Sequence, residues 1–299
     1  MAHESVQREK RSVALLSVFA AVGLTTFKLI VGLLTNSLGI LAEAAHSGLD
    51  LVAAVMTYFA VRVSDKPADE RHHFGHGKVE NLSALFETLL LLATSGWIIY
   101  EAINRLFINK NVQVDASAWS FVVMGTSIFI DINRSKMLSK AAKKYHSQAL
   151  EADALHFSTD IWSSGVVILG LVGLTLAKFL PGLGWLQQAD SVAALIVAVI
   201  VIYVSAELGY RTISALLDSA PQGMAEKIEL AAGTVKGVVD AHAVRIRPSG
   251  ALWFIDMHVR MNGSTHLSRA HAATEEIEKK VQEIVPGADV TVHMEPREE

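Results

Sequence analysis

Long apolar runs fill the first two-thirds of this 299-residue chain and constrain its fold more than any other feature. A bilayer core of about 30 Å is crossed by about 20 apolar residues of helix. Six runs approach or reach this length, and the fourth is the shortest. We predict a membrane span in each of them, at residues 13–34, 38–61, 82–107, 116–130, 155–180 and 191–210.

Lysine and arginine set the predicted orientation of these spans. They concentrate before the first span, after the second and after the fourth, and few lie in the other connections. Because positively charged loops stay in the cytoplasm, an even number of spans places both termini there. We expect a multi-pass protein of the plasma, or inner, membrane.

The chain changes character after about Asp218, where helical stretches rich in Glu and Lys replace the apolar runs. Helix and strand patterns then follow in the order αββαβ, at residues 224–234, 241–248, 252–261, 268–284 and 289–294. The expected fold is an all-α bundle of six transmembrane helices, residues 1–212, followed by a cytoplasmic α+β domain of ferredoxin or metallochaperone-like type, residues 213–299.

Two spans carry the same polar pattern, A-[E/D]-A-x-H-x-x-x-D, at residues 42–50 and 152–160. At about 100° per residue, the acid, the histidine and the aspartate share one face of each helix. Ionisable groups inside a membrane mark functional sites, and two imidazoles with two carboxylates form a four-ligand set suited to Zn²⁺. We predict an intramembrane metal site formed by His46, Asp50, His156 and Asp160. The alternative is that these side chains are buried hydrogen-bond partners that hold the helices together.

Two further groups of potential ligands lie outside the spans. The chain has no cysteine, so His, Asp and Glu are its strong metal ligands. A loop with two glycines holds Asp69, His72 and His76, with His73 as a substitute ligand; a solvated polar loop is the alternative. In the C-terminal module a single histidine is typical of a structural or solvated role, but five donors together favour a metal site with room for two neighbouring ions. These donors are His242, His258, His271, His293 and Glu295.

The ligand chemistry also indicates a mechanism. A neutral imidazole binds metal and a protonated one does not, so metal and protons compete for the same site. A site that loads metal from the cytoplasm and releases it to a more acidic exterior is a metal/proton antiporter. We expect Zn²⁺ as the substrate, with Cd²⁺, Co²⁺, Ni²⁺ and Fe²⁺ as alternatives, because this N/O ligand set accepts all of them.

Other classes of function fit the sequence less well. A net charge of −4 gives no support to nucleic-acid binding, and the sequence has no phosphate-binding loop motif for a nucleotide. An intramembrane metalloenzyme is one alternative, but the H-E-x-x-H motif is missing and no enzyme is expected. A membrane-bound metal sensor that does not transport is the other alternative.

The same residues resemble those of the cation diffusion facilitators, and in particular the bacterial zinc/proton antiporters. The resemblance covers nearly the whole chain. Besides the six spans and the paired stripes, it rests on the motifs at Gly75–Lys78, Ala149–His156 and His293–Pro296.

This resemblance implies roles for the three groups of ligands. The two stripes form the transport site midway across the membrane, the loop forms a second site, and the soluble domain binds metal and forms a homodimer. A histidine at position 46 is similar to the zinc-selective pattern of the family. The resemblance also implies that Lys78 pairs with Asp218, where the alternative is two separately solvated charges.

Overall fold

The computed structural model describes residues 2–107, 118–179 and 186–297. Six long helices form the N-terminal domain: α1 (Ala2–Thr35), α2 (Leu38–Ser64), α3 (Lys78–Phe107), α4 (Ala118–Tyr145), α5 (Gln148–Phe179) and α6 (Leu186–Leu216). The C-terminal domain consists of α7 (Met224–Gly233), β1 (Val238–Ser249), β2 (Leu252–Met261), α8 (Leu267–Ile284) and β3 (Asp289–Pro296). The predicted fold class, a helical membrane domain followed by an αββαβ domain, is confirmed.

The helical domain has the surface of a membrane protein, with large apolar side chains on the outside and charged side chains on the inside. Within the described residues, four helical segments are long and apolar enough to cross a bilayer: Val6–Thr35, Glu43–Ser64, Lys78–Asn104 and Ala194–Leu216. Large apolar side chains such as Phe19, Trp97 and Tyr203 point outward, whereas the carboxylates of Glu87 and Asp153 are fully buried. Polar groups are therefore gathered on the inside of the bundle, where other helices shield them from lipid.

Helix α4 is longer than the sequence suggested. The fourth predicted span ends at residue 130, but the helix continues through the basic stretch 134–144 to Tyr145. Leu138, Ala141 and Tyr145 lie on one face of this stretch and pack into a common core with Leu150 and Phe157 of α5. The apolar face decides the structure here, because its burial outweighs the charges on the opposite face.

The helices of the bundle pack in neighbouring pairs. Helix α1 lies against α2, α3 against α6, and α4 against α5, while α2 also contacts α5. The turn between α1 and α2 passes through Asn36, and that between α4 and α5 through His146, both with positive φ. Because α2 contacts α5, side chains of these two helices can meet inside the bundle.

The C-terminal domain is a three-stranded sheet in the order β1-β2-β3. Strand β2 pairs antiparallel with β1 and parallel with β3, and α8 makes the crossover between β2 and β3. Ile255, Met257 and Val259 of β2 are buried against Ile277 and Val281 of α8. Because side chains alternate along a strand, His258 lies on the opposite face of the sheet.

Candidate metal sites

The four predicted intramembrane ligands meet between α2 and α5. His46 and Asp50 lie one turn apart on α2, and His156 and Asp160 lie one turn apart on α5. The Nε2 atom of His156 is 3.0 Å from Asp50 Oδ1 and 3.6 Å from Asp160 Oδ2. The Nε2 atom of His46 is 3.9 Å from Asp50 Oδ1 and 3.8 Å from Asp160 Oδ1.

This geometry suits a single cation. Ligand atoms of His46, Asp50 and Asp160 all lie within 4.8 Å of one another. The Nε2 atom of His156 lies close to both aspartates and supplies the fourth ligand. Two nitrogen and two carboxylate donors can therefore contract around one ion at about 2.0–2.2 Å. Among the described residues, the buried Asp160 Oδ2 atom has no hydrogen-bond partner, which leaves it free to bind metal.

The two ends of this site differ in exposure. The side chain of His156 is only 2% exposed and that of Asp50 is 11% exposed, whereas that of His46 is 42% exposed. His46 and Asp50 share one helix, and His46 is the residue nearer to its start. The site is therefore more open at its His46 end than at its His156 end.

Lys28 and Glu43 lie near the exposed end of the site, and sequence reasoning did not single out Lys28. The buried Nζ atom of Lys28 donates to Ser47 Oγ at 2.7 Å and lies 3.2 Å from Glu43 Oε2. Glu43 has the same stripe position as Asp153, but the two are in different surroundings. Glu43 is partly exposed and paired, while Asp153 is fully buried on the closed side of the site.

A buried polar layer lies on the closed side. The Oγ atom of Ser17 donates to Asp153 Oδ2 at 3.3 Å, and Thr57 donates to Glu87. Arg134 is also buried, and it donates to Ser17 Oγ at 3.1 Å. Sequence reasoning missed Glu87, although a lone carboxylate within an apolar span is itself a functional signal.

The predicted loop site is assembled between α2 and α3. Asp69 Oδ1 is 3.1 Å from His72 Nδ1, and Asp69 Oδ2 is 3.3 Å from His76 Nε2. Hydrogen bonds from the backbone N–H groups of Arg71 and His72 lower the pKa of Asp69 to about 2. The carboxylate is therefore ionised and can bind a cation. The structure does not bring His73 into this cluster within the described residues.

The loop also contacts the C-terminal domain. The Phe74 ring packs edge-on against Phe254 at 5.1 Å, and the Arg247 guanidinium lies over the Phe74 ring at 3.6 Å. Gly77 approaches the backbone at Ser249 so closely that a Cβ atom would overlap the Ser249 carbonyl. The loop site and the C-terminal domain are thus parts of one contact surface.

The histidine cluster of the C-terminal domain follows from the strand register. His242 faces His258 across β1 and β2, and His258 faces His293 across β2 and β3. Glu295 lies 2.8 Å from His258 Nδ1 and 3.3 Å from His242 Nε2. The hydrogen bond from His258 lowers the pKa of Glu295, which keeps this carboxylate available to a cation.

Two of the five predicted ligands in this domain stand apart from the cluster. The ring of His293 lies 4.8 Å from that of His258 at a tilt of 54°, but His293 is not within the set of converging ligand atoms. His271 is exposed on α8, 3.7 Å from Glu275, and the structure does not bring it to the cluster. The reason is that α8 covers the face of the sheet opposite to the histidines.

The geometry defines a class of protein: a membrane protein with a group of candidate cation ligands between its helices and a second such group in an attached soluble domain. Comparison with known families agrees with this description. The family model for the cation efflux transmembrane domain matches residues 14–217, and that for the cytoplasmic domain of cation efflux proteins matches residues 220–297. The chain belongs to the cation efflux family and is a cation efflux transporter.

Individual relatives agree with the family match. The cation-efflux pump FieF of Yersinia pestis (strain Pestoides F) is 31% identical over 268 residues, which cover 88% of this chain and 84% of the relative. FieF of Yersinia pseudotuberculosis serotype O:3 (strain YPIII) has the same identity and coverage. A solved structure of CzrB in its zinc form covers 27% of this chain and 98% of its own, with 24% identity and a TM-score of 0.25.

Proposed function

We propose that this protein exports Zn²⁺ from the cytoplasm in exchange for protons. The observation that carries the proposal is the convergence of two imidazoles and two carboxylates from α2 and α5 inside a helical bundle. Burying these four ionisable groups in a membrane domain is expensive, and a divalent cation offsets the two carboxylate charges.

The ligand set supports Zn²⁺ as the main substrate. Two imidazole and two carboxylate donors suit Zn²⁺, which has no geometric preference from its d electrons. Cd²⁺, Co²⁺, Ni²⁺ and Fe²⁺ are alternative substrates because imidazole and carboxylate ligands bind them as well.

The difference in exposure across the site supports alternating access. The cytoplasmic domain follows α6, and the loop between α2 and α3 packs against it, so the closed side of the site faces the cytoplasm. The exposed His46 faces the exterior. The proposal takes this conformation as outward-facing, and rocking of α2 and α5 against the rest of the bundle would expose the same ligands to the cytoplasm.

Proton coupling follows from the two histidines. Protonated imidazoles cannot bind metal, so an acidic exterior promotes release and a neutral cytoplasm promotes loading. The proposal places the protein in the inner membrane with both termini in the cytoplasm. It assigns residues 1–212 to transport and residues 213–299 to metal sensing and homodimerisation, which the cytoplasmic-domain match supports.

Flux in proteoliposomes tests this function. We expect Zn²⁺ to move in one direction and protons in the other, and both Asp50→Ala and Asp160→Ala to abolish the two fluxes. His271→Ala, which changes an exposed ligand type outside the bundle, serves as the matched control and retains flux. If the intact protein binds Zn²⁺ but moves none under any gradient, a sensor replaces the transporter.

A further inference from the structure

A cluster of buried charges joins the helices at their cytoplasmic ends. The ammonium group of Lys10 on α1 lies 2.7 Å from Glu80 Oε1 on α3 and 3.2 Å from Oδ1 of Asp65, which directly follows α2. The side chains of Lys10, Glu80 and Asp65 are only 7%, 3% and 5% exposed. The partly exposed Arg11 pairs with the other oxygen of Asp65 at 2.9 Å. Two cations therefore face two carboxylates, and the cluster is neutral.

Glu80 is the centre of this cluster because its carboxylate accepts hydrogen bonds from three different segments. Its Oε1 atom accepts from Lys10 Nζ and, at 2.8 Å, from Ser64 Oγ, and its Oε2 atom accepts from Ser147 Oγ. Ser64 ends α2, and Ser147 directly precedes α5. The two helices that carry the transport ligands are thus joined at their cytoplasmic ends through one carboxylate of α3.

The cluster lies in line with the transport site. On three helices, seven positions separate a residue of the cluster from a residue of the buried polar layer on the closed side of the site: Lys10 and Ser17 on α1, Ser64 and Thr57 on α2, and Glu80 and Glu87 on α3. Seven residues are two helical turns, or about 10 Å. The cluster is therefore the next polar layer on the way from the transport site to the cytoplasm.

Apolar side chains lie between these two polar layers. Ala14, Val61 and Leu150 pack in one core, and each is 0% exposed. Ala84, between Glu80 and Glu87 on α3, is equally buried. A divalent cation cannot cross such a layer while the helices are in contact, because its charge would lose its hydration without gaining ligands. The path from the cytoplasm is thus closed by an apolar layer and by the ion-pair cluster next to it.

We propose that the cluster of Lys10, Asp65 and Glu80 is the cytoplasmic gate of the transport pathway. When α2 and α5 rock against the rest of the bundle, the contacts of Glu80 with Ser64 and Ser147 separate, as does that of Lys10 with Asp65. The Lys10–Glu80 pair joins α1 to α3 and persists. The gate can therefore open without leaving Glu80 as a buried charge that has lost its partner, which would be costly.

This inference rests on the proposed transport function and identifies the side chains that close its site to the cytoplasm. Because the chain has no cysteine, a single introduced thiol can report on access. Ala14→Cys places the thiol in the apolar layer, where a membrane-impermeant thiol reagent can be offered to the full-length protein from either side, in inside-out and right-side-out vesicles.

We expect this reporter to react slowly in the otherwise unmodified chain. Adding Ser64→Ala or Glu80→Gln removes contacts that only the closed gate makes, so labelling from the cytoplasmic side should become about fivefold faster. Labelling from the exterior should stay slow, because the reporter lies beyond the transport site. Ser64→Ala keeps the charges of the cluster, and it provides the test if Glu80→Gln does not fold.

Lys144→Gln is the matched control. Lys144 pairs with Glu9 at 2.8 Å and so also joins α1 to a neighbouring helix, but both side chains are more than half exposed. Its replacement should leave the labelling rate unchanged. Unchanged labelling in Ser64→Ala would overturn the proposal, and so would an equal acceleration in Lys144→Gln or from both sides of the membrane. The labelling requires no metal transport, whereas the export function fails only if the unmodified protein moves no metal.

Discussion

The Nζ atom of Lys78 lies 2.7 Å from Asp218 Oδ1, across 140 residues of chain. The same ammonium group donates to the Leu216 carbonyl at 3.2 Å and so satisfies an unpaired group at the end of α6. Lys78 begins α3, and Asp218 follows α6 with a positive φ of 61°. One side chain thus joins the start of one membrane helix to the connection that leads into the cytoplasmic domain.

We expect Lys78→Ala to impair transport more than stability. Both partners are partly exposed, and such pairs contribute about 0–1 kcal/mol to the free energy of unfolding. The position of the cytoplasmic domain relative to α3 and α6 would nevertheless loosen, and the Zn²⁺ flux should fall several-fold. Thermal unfolding and flux measured on the same preparation separate the two effects. A large drop in the melting temperature with normal flux per folded molecule would contradict this expectation.

Replacing His156 should weaken Zn²⁺ transport more than replacing His46. Water can reach the coordination position of the exposed His46, whereas His156 is buried and nothing can take its place. We expect the apparent affinity for Zn²⁺ to differ between His156→Ala and His46→Ala by about tenfold, or about 1.4 kcal/mol. The concentration dependence of flux gives both values. Equal losses of Zn²⁺ affinity in the two variants would show that the exposure of a histidine does not influence its contribution to binding.

Gly77→Ala should separate the loop from the cytoplasmic domain. An added Cβ atom would overlap the Ser249 carbonyl, and such overpacking costs about 1–3 kcal/mol. Gly96→Ala on α3 is the matched control, because no atom lies within 4 Å of its added methyl group. Protease cleavage after the loop should accelerate in the first variant alone. Equal cleavage rates in both variants would indicate that the loop is not docked.

The carboxylate of the loop site should remain a ligand at low pH. The pKa of Asp69 is lowered to about 2, so its ionised form persists as the pH falls and is lost only near that value. Loss of metal from the loop between pH 7 and pH 5 must then arise at ligands other than Asp69. Zn²⁺ titrations of Asp69→Asn should show weaker binding with the same pH profile. A change in the profile itself would contradict this assignment.

Glu295→Ala should lower the Zn²⁺ affinity of the cytoplasmic domain, because Glu295 is the carboxylate that contacts both His242 and His258. His271→Ala should leave this affinity unchanged, since that side chain lies on the other face of the domain. Calorimetric titration of the full chain measures both variants. An equal loss in the His271 variant would show that a second protomer carries this histidine to the cluster.

Much of the architecture was predictable from local patterns. Apolar runs long enough to cross a bilayer indicated the helical domain, and the helix and strand patterns after about Asp218 indicated the αββαβ domain. The repeated His-x-x-x-Asp spacing identified His46, Asp50, His156 and Asp160 before any tertiary contact was known. These signals are readable because they depend on helix and strand periodicity alone.

The spacing of residues along one helix or strand does not reveal which side chains a neighbouring helix or strand places next to them. The sequence determined which side chains share a face, and hence the two halves of the intramembrane site. Only the tertiary structure separated the buried Asp153 from the partly exposed Glu43, paired Lys78 with Asp218, and buried Glu87 inside the bundle. It also directed His271 away from the other histidines of its domain. Burial and electrostatic contact depend on the packing of distant segments, which no periodic pattern encodes.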